Sequence, residues 1–149
     1  MRFKSSVVAA AAFTAFAAVV ATGGSAHAMA NLQNCSKAAA GPLCLYYNSN
    51  NKGAHVGVQG DVYNYGSAMA PLADPGIKFN NNGAGGGKHV KNAVASVYNY
   101  DTYMGYYVYV NSGYAGPFDA WPPYGYAGSR QWFGNLNNAY NNNASQARH

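Results

Sequence analysis

Two stretches of the sequence share one local pattern: residues 44–53 read CLYYNSNNKG and residues 107–116 read YVYVNSGYAG. An aromatic residue, an Asn-Ser pair and a closing glycine take the same places in both: Tyr46, Asn48, Ser49 and Gly53 in the first, Tyr109, Asn111, Ser112 and Gly116 in the second. Asparagine tolerates the left-handed backbone and glycine adopts positive φ without a steric penalty, so each stretch favours a β-hairpin that folds over its own sheet. We expect each tyrosine to lie flat against its glycine, where no Cβ obstructs the ring.

The sequence around these hairpins is typical of β structure. Runs rich in β-branched and aromatic residues predict strands at 44–47, 93–98, 106–110 and 131–133. Clusters of glycine and asparagine separate the runs, and no apolar stripe of helical period continues for three turns. The pattern predicts an all-β sandwich or barrel. Residues 66–91, with two prolines and a Gly-Gly-Gly run, are expected to form a long, partly mobile loop.

Residues 1–28 are predicted to be a secretory signal peptide. They begin with positive charge, continue with an apolar run at 7–20, and end with small residues at 26 and 28, which suit cleavage by a signal peptidase after Ala28. The apolar run is shorter than the ~20 residues of a bilayer-spanning helix. The mature chain is then expected to be secreted, extracellular and soluble. Residues 29–34 are expected to be a disordered lead-in to a single domain at 35–149, which we expect to be a monomer.

Cys35 and Cys44 are predicted to form a disulfide, because export brings them into an oxidising compartment. The loop between them is short, so chain closure stabilises the fold by only about 2.5–3 kcal/mol. A metal pair and a reactive thiol are the alternatives, and two thiols with no histidine nearby in the sequence make a poor metal site.

Composition and motifs predict a binding protein rather than an enzyme. The sequence contains no glutamate and only 4 acidic residues, so paired carboxylates for glycoside hydrolysis are not expected. His55 and His89 lie outside any HExxH spacing, and no G-x-S-x-G segment occurs. The basic residues are scattered rather than clustered, which predicts no nucleic-acid partner. We expect no cofactor and no membrane association of the mature chain.

The repeated hairpin resembles the Greek-key motif of βγ-crystallins, in which a later serine ties the hairpin down. Ser96, in NAVASVYN, would close the first motif, and Ser145, in NNNASQ, would close the second. The Greek-key residues implied by this resemblance are Tyr46, Gly53, Ser96, Tyr109, Gly116 and Ser145. The implied fold is an all-β, βγ-crystallin-like Greek-key sandwich in which two motifs form one domain, because neither motif can bury its apolar face alone.

The start of the domain resembles a narrower group. Cys35 followed by GPLCLYYNSN at 41–50 is similar to the opening of secreted actinobacterial proteins of peptidase inhibitor family I36, whose type members are small crystallin-like inhibitors of metalloproteinases. The resemblance covers residues 35–145. It implies a secreted binding protein that inhibits an extracellular protease, in particular a metalloprotease, through a rigid surface loop.

The characterised inhibitors resemble one another in a second disulfide near the reactive loop, and this chain has no cysteine left to form one. Proline can supply the rigidity instead in the segment AWPPYGY at 120–126. The candidate partner contacts are therefore Trp121, Pro122, Pro123, Tyr124 and Tyr126.

Two alternative functions stay open. Tyrosine and asparagine surfaces also stack on sugar rings, so the partner could be a polysaccharide, as in a cell-wall-binding or growth-inhibiting, killer-toxin-like crystallin protein. A structural extracellular protein would bind neither a protease nor a polysaccharide.

A weak calcium site is a further hypothesis. Crystallin domains that bind calcium resemble one another in a stretch of two Asn or Asp, two free positions and two hydroxyl residues, and 141–146 reads NNNASQ. Asn141, Asn142 and Ser145 are the candidate ligands. Calcium prefers carboxylates, and the equivalent first copy has Lys91 in place of an oxygen ligand, so an affinity of about millimolar is expected. The alternative is that these asparagines cap turns.

Overall fold

The structure is a computed structural model that describes residues 29–129 and 131–149, so the predicted signal peptide at 1–28 lies outside the described residues. The regular elements of the described part are all β-strands: β1 (Asn31–Gln33), β2 (Leu43–Asn48), β3 (Lys52–Gln59), β4 (Ser96–Asn99), β5 (Tyr106–Asn111), β6 (Ala115–Trp121), β7 (Phe133–Asn135) and β8 (Ser145–Arg148). Over these residues, no helix is long and apolar enough to span a bilayer.

The strands form two antiparallel sheets that repeat one arrangement. The first sheet has the order β1-β3-β2-β4-β7 and the second has the order β6-β5-β8. In the first, β2 pairs with both β3 and β4, and in the second, β5 pairs with both β6 and β8. Each half of the chain therefore builds a hairpin and adds a later strand to the hairpin's free edge.

The two halves also exchange segments. The strand β7 lies between β6 and β8 in the sequence, but it pairs with β4 of the first sheet, with Phe133 opposite Tyr98. In return, Val62, which follows β3, forms an antiparallel bridge to Gln146 of β8. Two backbone hydrogen bonds close this bridge, from Val62 N to Gln146 O at 2.8 Å and from Gln146 N to Val62 O at 3.0 Å. The predicted all-β sandwich of two Greek-key motifs in one domain is confirmed.

The hydrophobic core lies between the sheets. Side chains alternate between the two faces of a strand, so Leu43, Leu45 and Val97 point inward from the first sheet, and Tyr106 and Val108 point inward from the second. All five side chains have no exposed surface. Their neighbours in the strands point to the outer faces of the sandwich, where most of the remaining aromatic residues lie.

Each hairpin is held by a buried serine through the same pair of contacts. The Ser96 hydroxyl donates to Asn48 O at 2.6 Å and accepts from Asn51 N at 2.9 Å. The Ser145 hydroxyl donates to Asn111 O at 2.7 Å and accepts from Tyr114 N at 3.2 Å. These are equivalent positions of the two motifs, and both serines have no exposed surface.

The side chain nearest each hairpin glycine differs from our expectation. Gly53 and Gly116 have φ values of 78° and 79°, as a folded hairpin requires. A Cβ added to Gly116 would lie 2.7 Å from the Asn111 amide nitrogen, and the side-chain atom nearest an added Cβ on Gly53 is the Asn48 amide nitrogen at 3.0 Å. Asparagine amides, rather than the predicted tyrosine rings, are therefore the first side chains to occupy the space left by the missing Cβ.

One other expectation needs correction. The lead-in at 29–34 was expected to be disordered, but β1 pairs with β3, with Asn31 opposite Gln59. The segment 66–91 is a long loop without helix or strand, as expected, but it contributes Ile77, Phe79 and Val90 to the core and is held by backbone hydrogen bonds such as Ile77 N to Tyr65 O at 2.9 Å. Pairing to an existing strand edge and burial of isolated apolar residues order both segments despite their weak local propensity.

Removing either serine hydroxyl should destabilise the fold. We expect Ser96→Ala and Ser145→Ala each to lower the free energy of unfolding by about 1–3 kcal/mol, because each leaves a buried carbonyl and a backbone N–H without their partner. Urea denaturation measures the change, with the exposed Ser67→Ala as the control. A change below about 0.5 kcal/mol in both variants would contradict the structural role assigned to these hydroxyls.

Alkaline pH should unfold the protein through its buried tyrosines. Tyr65 is fully buried and donates to the Gln146 side chain at 2.9 Å, and burial, reinforced by Tyr106, raises the pKa of Tyr65 well above its ordinary value of 10. The unfolded chain ionises near pH 10 while the folded phenol keeps its proton, so this stabilisation is complete below pH 10 and is lost as the pH rises toward the folded pKa.

The free energy of unfolding should therefore fall above pH 10, by up to about 1.4 kcal/mol per pH unit for each such tyrosine. Denaturation at stepped pH should give a shallower alkaline slope for Tyr65→Phe than for the wild type. The control Tyr103→Phe, at a side chain that is 73% exposed, should keep the wild-type slope. Equal slopes in all three proteins would contradict the prediction.

Candidate functional site

The outer face of the first sheet has a group of stacked aromatic rings, which we call the first aromatic surface: Tyr98, Tyr100, Tyr124, Trp132 and Phe133. Tyr98 lies at its centre, parallel to Tyr100 with ring centroids 4.2 Å apart and parallel to Phe133 at 5.0 Å. Tyr124 is nearly parallel to both Tyr98 and Tyr100 at 6.1 and 6.4 Å. The Trp132 indole contacts Tyr124 and Phe133 and donates weakly to the Tyr98 hydroxyl at 3.4 Å.

Strand alternation and the exchanged strand together build this surface. Val97 points into the core, so Tyr98 must point outward. Phe133 stands directly opposite Tyr98 because β7 pairs with β4, and directly opposed aromatic side chains on neighbouring strands are in contact. The first motif thus supplies the centre of the stack and the second motif supplies its flank.

The proline-containing loop after β6 is tied to the same surface. The buried Asn99 amide donates to Pro122 O at 2.9 Å, and Tyr124 N donates to Asp101 O at 2.7 Å. The Lys37 ammonium lies 4.8 Å from the centroid of the Tyr124 ring, a cation–π contact. A turn follows, closed by a bond from Tyr126 N to Pro123 O at 3.1 Å. Hydrogen bonds, proline and ring stacking together hold this loop against the sheet.

The predicted contact residues occupy different environments. Trp121 is only 8% exposed and belongs to the core, so it is not available to a partner. Pro122, Pro123 and Tyr124 are half-buried, and Tyr126 is 58% exposed at the loop tip. The proline–aromatic composition alone did not reveal that Trp121 is the last residue of β6, where alternation directs it inward with Tyr106 as its partner.

Sequence reasoning missed most of the first aromatic surface. Tyr98 and Tyr100, two residues apart in SVYNY, had the period that places two side chains on one face of a strand. Phe133 and Trp132 had no such signal, because only the strand exchange brings them to the first sheet.

The hydroxyl groups of this region are uncharged at neutral pH. Burial raises the pKa of Tyr46 well above its ordinary value, and Tyr100, as a neighbouring charge and a hydrogen-bond partner, raises it further. Partial burial also raises the pKa of Tyr98. Tyr46 is buried beneath the surface, so Tyr98 is the phenol of this pair that can donate a hydrogen bond to a partner, and Lys37 adds a positive charge at the rim.

A second row of aromatic rings covers the outer face of the second sheet. We call it the second aromatic surface, and its members in order of contact are His149, Tyr107, Phe118, Tyr109, Tyr114 and Tyr63. His149 stacks on Tyr107 with centroids 3.8 Å apart, and the contacts from Tyr107 onward are tilted or edge-to-face, at 4.7 to 6.2 Å. None of these rings apart from Tyr109 was among the predicted site residues.

The predicted calcium ligands lie at the end of the second motif. Asn141 and Asn142 are exposed, with Asn141 in the left-handed conformation of a turn at φ 50°. The Ser145 hydroxyl already binds the second hairpin, so it is committed to the fold. The described residues contain no group of three or more His, Cys, Asp or Glu side chains that could hold a metal ion. A weak calcium site there stays a prediction.

The cysteines and histidines considered as reactive groups contact other residues of the fold. The predicted disulfide between Cys35 and Cys44 is confirmed, with Cα atoms 5.7 Å apart, and it is compatible with an extracellular protein. His55 lies beside the Tyr46 ring at 5.3 Å. His89 lies 3.4 Å from the carboxylate of Asp74 on the surface.

The first aromatic surface is therefore the candidate site, and its arrangement suits binding.

A solved structure described as "Evolution of the eye lens beta-gamma-crystallin domain fold" is similar to this chain, with 13% sequence identity, a TM-score of 0.49, and coverage of 80% of this chain and 96% of that chain. No protein-family model matches the sequence, and no curated protein matches it. The strand order and the exchanged segments define the fold class, an all-β βγ-crystallin-like sandwich.

Proposed function

We propose that this protein is a secreted binding protein that inhibits an extracellular protease, in particular a metalloprotease, through the first aromatic surface and the loop at 122–126. The observation that carries the proposal is the parallel stack of Tyr100, Tyr98 and Phe133, which is already assembled in the free protein. A protein partner that docks on it would meet a preformed, rigid surface.

Rigidity matters because ordering of flexible side chains and loops on binding lowers affinity. Rings that already contact one another lose little conformational freedom when a partner covers them. Tyrosine and tryptophan are also enriched among the residues that contribute most to protein interfaces, since they combine a large apolar area with a hydrogen-bonding group. Tyr126 and Phe133 are the most accessible anchors, 58% and 44% exposed.

The ring geometry favours a protein partner over a sugar at this surface. A parallel contact covers one face of both rings, and Tyr98 makes two close parallel contacts. A sugar stacks on a free ring face, so the centre of this surface has little to offer it. Ring edges and hydroxyls remain accessible, and these groups suit the varied hydrogen bonds of a protein interface.

The assignment of the partner as a protease is supported by the resemblance of the first hairpin to family I36. A loop that enters a protease must also resist cleavage, which requires a backbone that does not adapt easily to the catalytic site. The loop at 122–126 has two prolines and is anchored by Asn99 and Tyr124. These constraints would replace the second disulfide of the characterised inhibitors.

Inhibition of a panel of secreted metalloproteases by the purified protein tests this proposal. We expect inhibition at micromolar concentration or below, and a loss of about tenfold or more in inhibition constant for Tyr126→Ala and for Phe133→Ala, because each removes an exposed anchor. Phe118→Ala is the matched control, since Phe118 and Phe133 are both 44% exposed and lie on opposite sheets.

The absence of inhibition at micromolar concentration across the panel would overturn the protease assignment. An equal loss for Phe118→Ala and Phe133→Ala would contradict the location on the first sheet. Circular dichroism of each variant ensures that a loss of inhibition reflects the surface rather than unfolding.

A further inference from the structure

We propose that the second aromatic surface is a separate binding site for a polysaccharide with flat pyranose units, such as a β-1,4-linked chain. This site goes beyond the proposed protease inhibition and does not depend on it. It lies on the opposite outer face of the sandwich, so both partners could be bound together. The inference comes from the orientation of the rings, their exposed area and the polar groups around them.

The ring orientation differs from that of the first aromatic surface. From Tyr107 to Tyr63 the neighbouring planes meet at 49° to 83°, whereas the close contacts of Tyr98 are within 15° of parallel. In an edge-to-face contact the edge of one ring covers a face of the other, so only one of the two rings loses a face. Each such contact leaves one of its two rings with both faces uncovered by that contact, and Phe118, Tyr63 and Tyr114 are 44%, 49% and 38% exposed.

Open ring faces are what the apolar C–H face of a pyranose requires, while its equatorial hydroxyls need hydrogen-bonding groups at the rim. The exposed carboxylate of Asp61 lies beside the row, because it accepts a hydrogen bond from Arg148 N, next to His149, at 2.7 Å. Burial raises the pKa of Tyr109 and Tyr114, and the negative charge of Asp61 raises both further. The uncharged tyrosine hydroxyls can donate and accept hydrogen bonds, and the carboxylate can accept them. A few placed polar groups beside apolar and aromatic side chains are what fixes the orientation of a bound ligand.

The exposed part of the row has the size of a small ligand. With about 200 Å² for a whole aromatic side chain, the exposed fractions of Phe118, Tyr63 and Tyr114 amount to roughly 250 Å². A ligand of a few sugar rings can be held by an area of this size. The row of six rings, each in contact with the next, also favours an elongated ligand over a single sugar.

Retention of the full protein on insoluble chitin, cellulose and peptidoglycan tests this proposal, with soluble chito- and cello-oligosaccharides titrated against intrinsic tyrosine fluorescence. We expect binding to at least one polymer and a loss of about tenfold or more in affinity for Phe118→Ala, because a ring face is removed. Tyr63 lies outside the strands, so Tyr63→Ala is a second variant that tests the site if Phe118→Ala does not fold. It should show a similar loss of affinity. Phe133→Ala, the matched variant on the first sheet, should bind as the wild type does.

Lack of retention on all three polymers would overturn the proposal. So would an equal loss of affinity in Phe133→Ala, or a concentration-dependent dimer that Phe118→Ala abolishes, since the row would then be a self-association surface. The two proposals can be contradicted independently. Protease inhibition should be lowered by Phe133→Ala, and retention on the polysaccharide should be lowered by Phe118→Ala.

Discussion

The exchange of one segment between the two halves of the chain is the constraint on which the rest of the structure depends. The strand β7 completes the first sheet beside β4, and Val62 extends the second sheet beside β8. A partly buried ion pair joins the halves again, since the Arg148 guanidinium lies 2.8 Å from the Asp101 carboxylate, which has no exposed surface. Neither half can therefore complete its sheet without the other, and burial of the common core follows from that interlocking.

The exchange also determines what the outer faces can do. It brings Phe133 beside Tyr98 and so completes a parallel stack that includes rings from both motifs. In return, the segment with Val62 brings Tyr63 to the second sheet, where it meets Tyr114 edge-to-face. The row around Phe118 keeps tilted and edge-to-face contacts. One architecture thus presents two aromatic surfaces with different ring contacts, parallel around Tyr98 on the first sheet and tilted or edge-to-face around Phe118 on the second. This difference is why we assign a protein partner to the first and a polysaccharide to the second.

The parts of the fold that depend on local sequence could be predicted, and the parts that depend on distant pairing could not. The repeated hairpins and the disulfide were visible because asparagine, glycine and cysteine have strong local preferences. The strand β3 was missed, since KGAHVGVQ mixes glycine and charge with few β-formers, and its pairing with β2 overrides that weak propensity. The exchange has no local signal at all. For that reason Phe133 was not recognised as a site residue. Trp121 was wrongly assigned to the surface for a different reason, because its place at the end of β6, where alternation directs it inward, was not predicted.

Native-state hydrogen exchange of the Val62 and Gln146 amides tests the interlocking most directly. These two amides close the bridge between the halves, whereas the Leu45 amide belongs to the centre of the first sheet. If the strands shared between the halves hold the domain together, the amide hydrogens of all three residues are replaced by solvent only through global unfolding. They then report the same opening free energy. If Val62 and Gln146 exchange through a low-energy local opening while Leu45 stays protected, the halves are independent and the account is wrong.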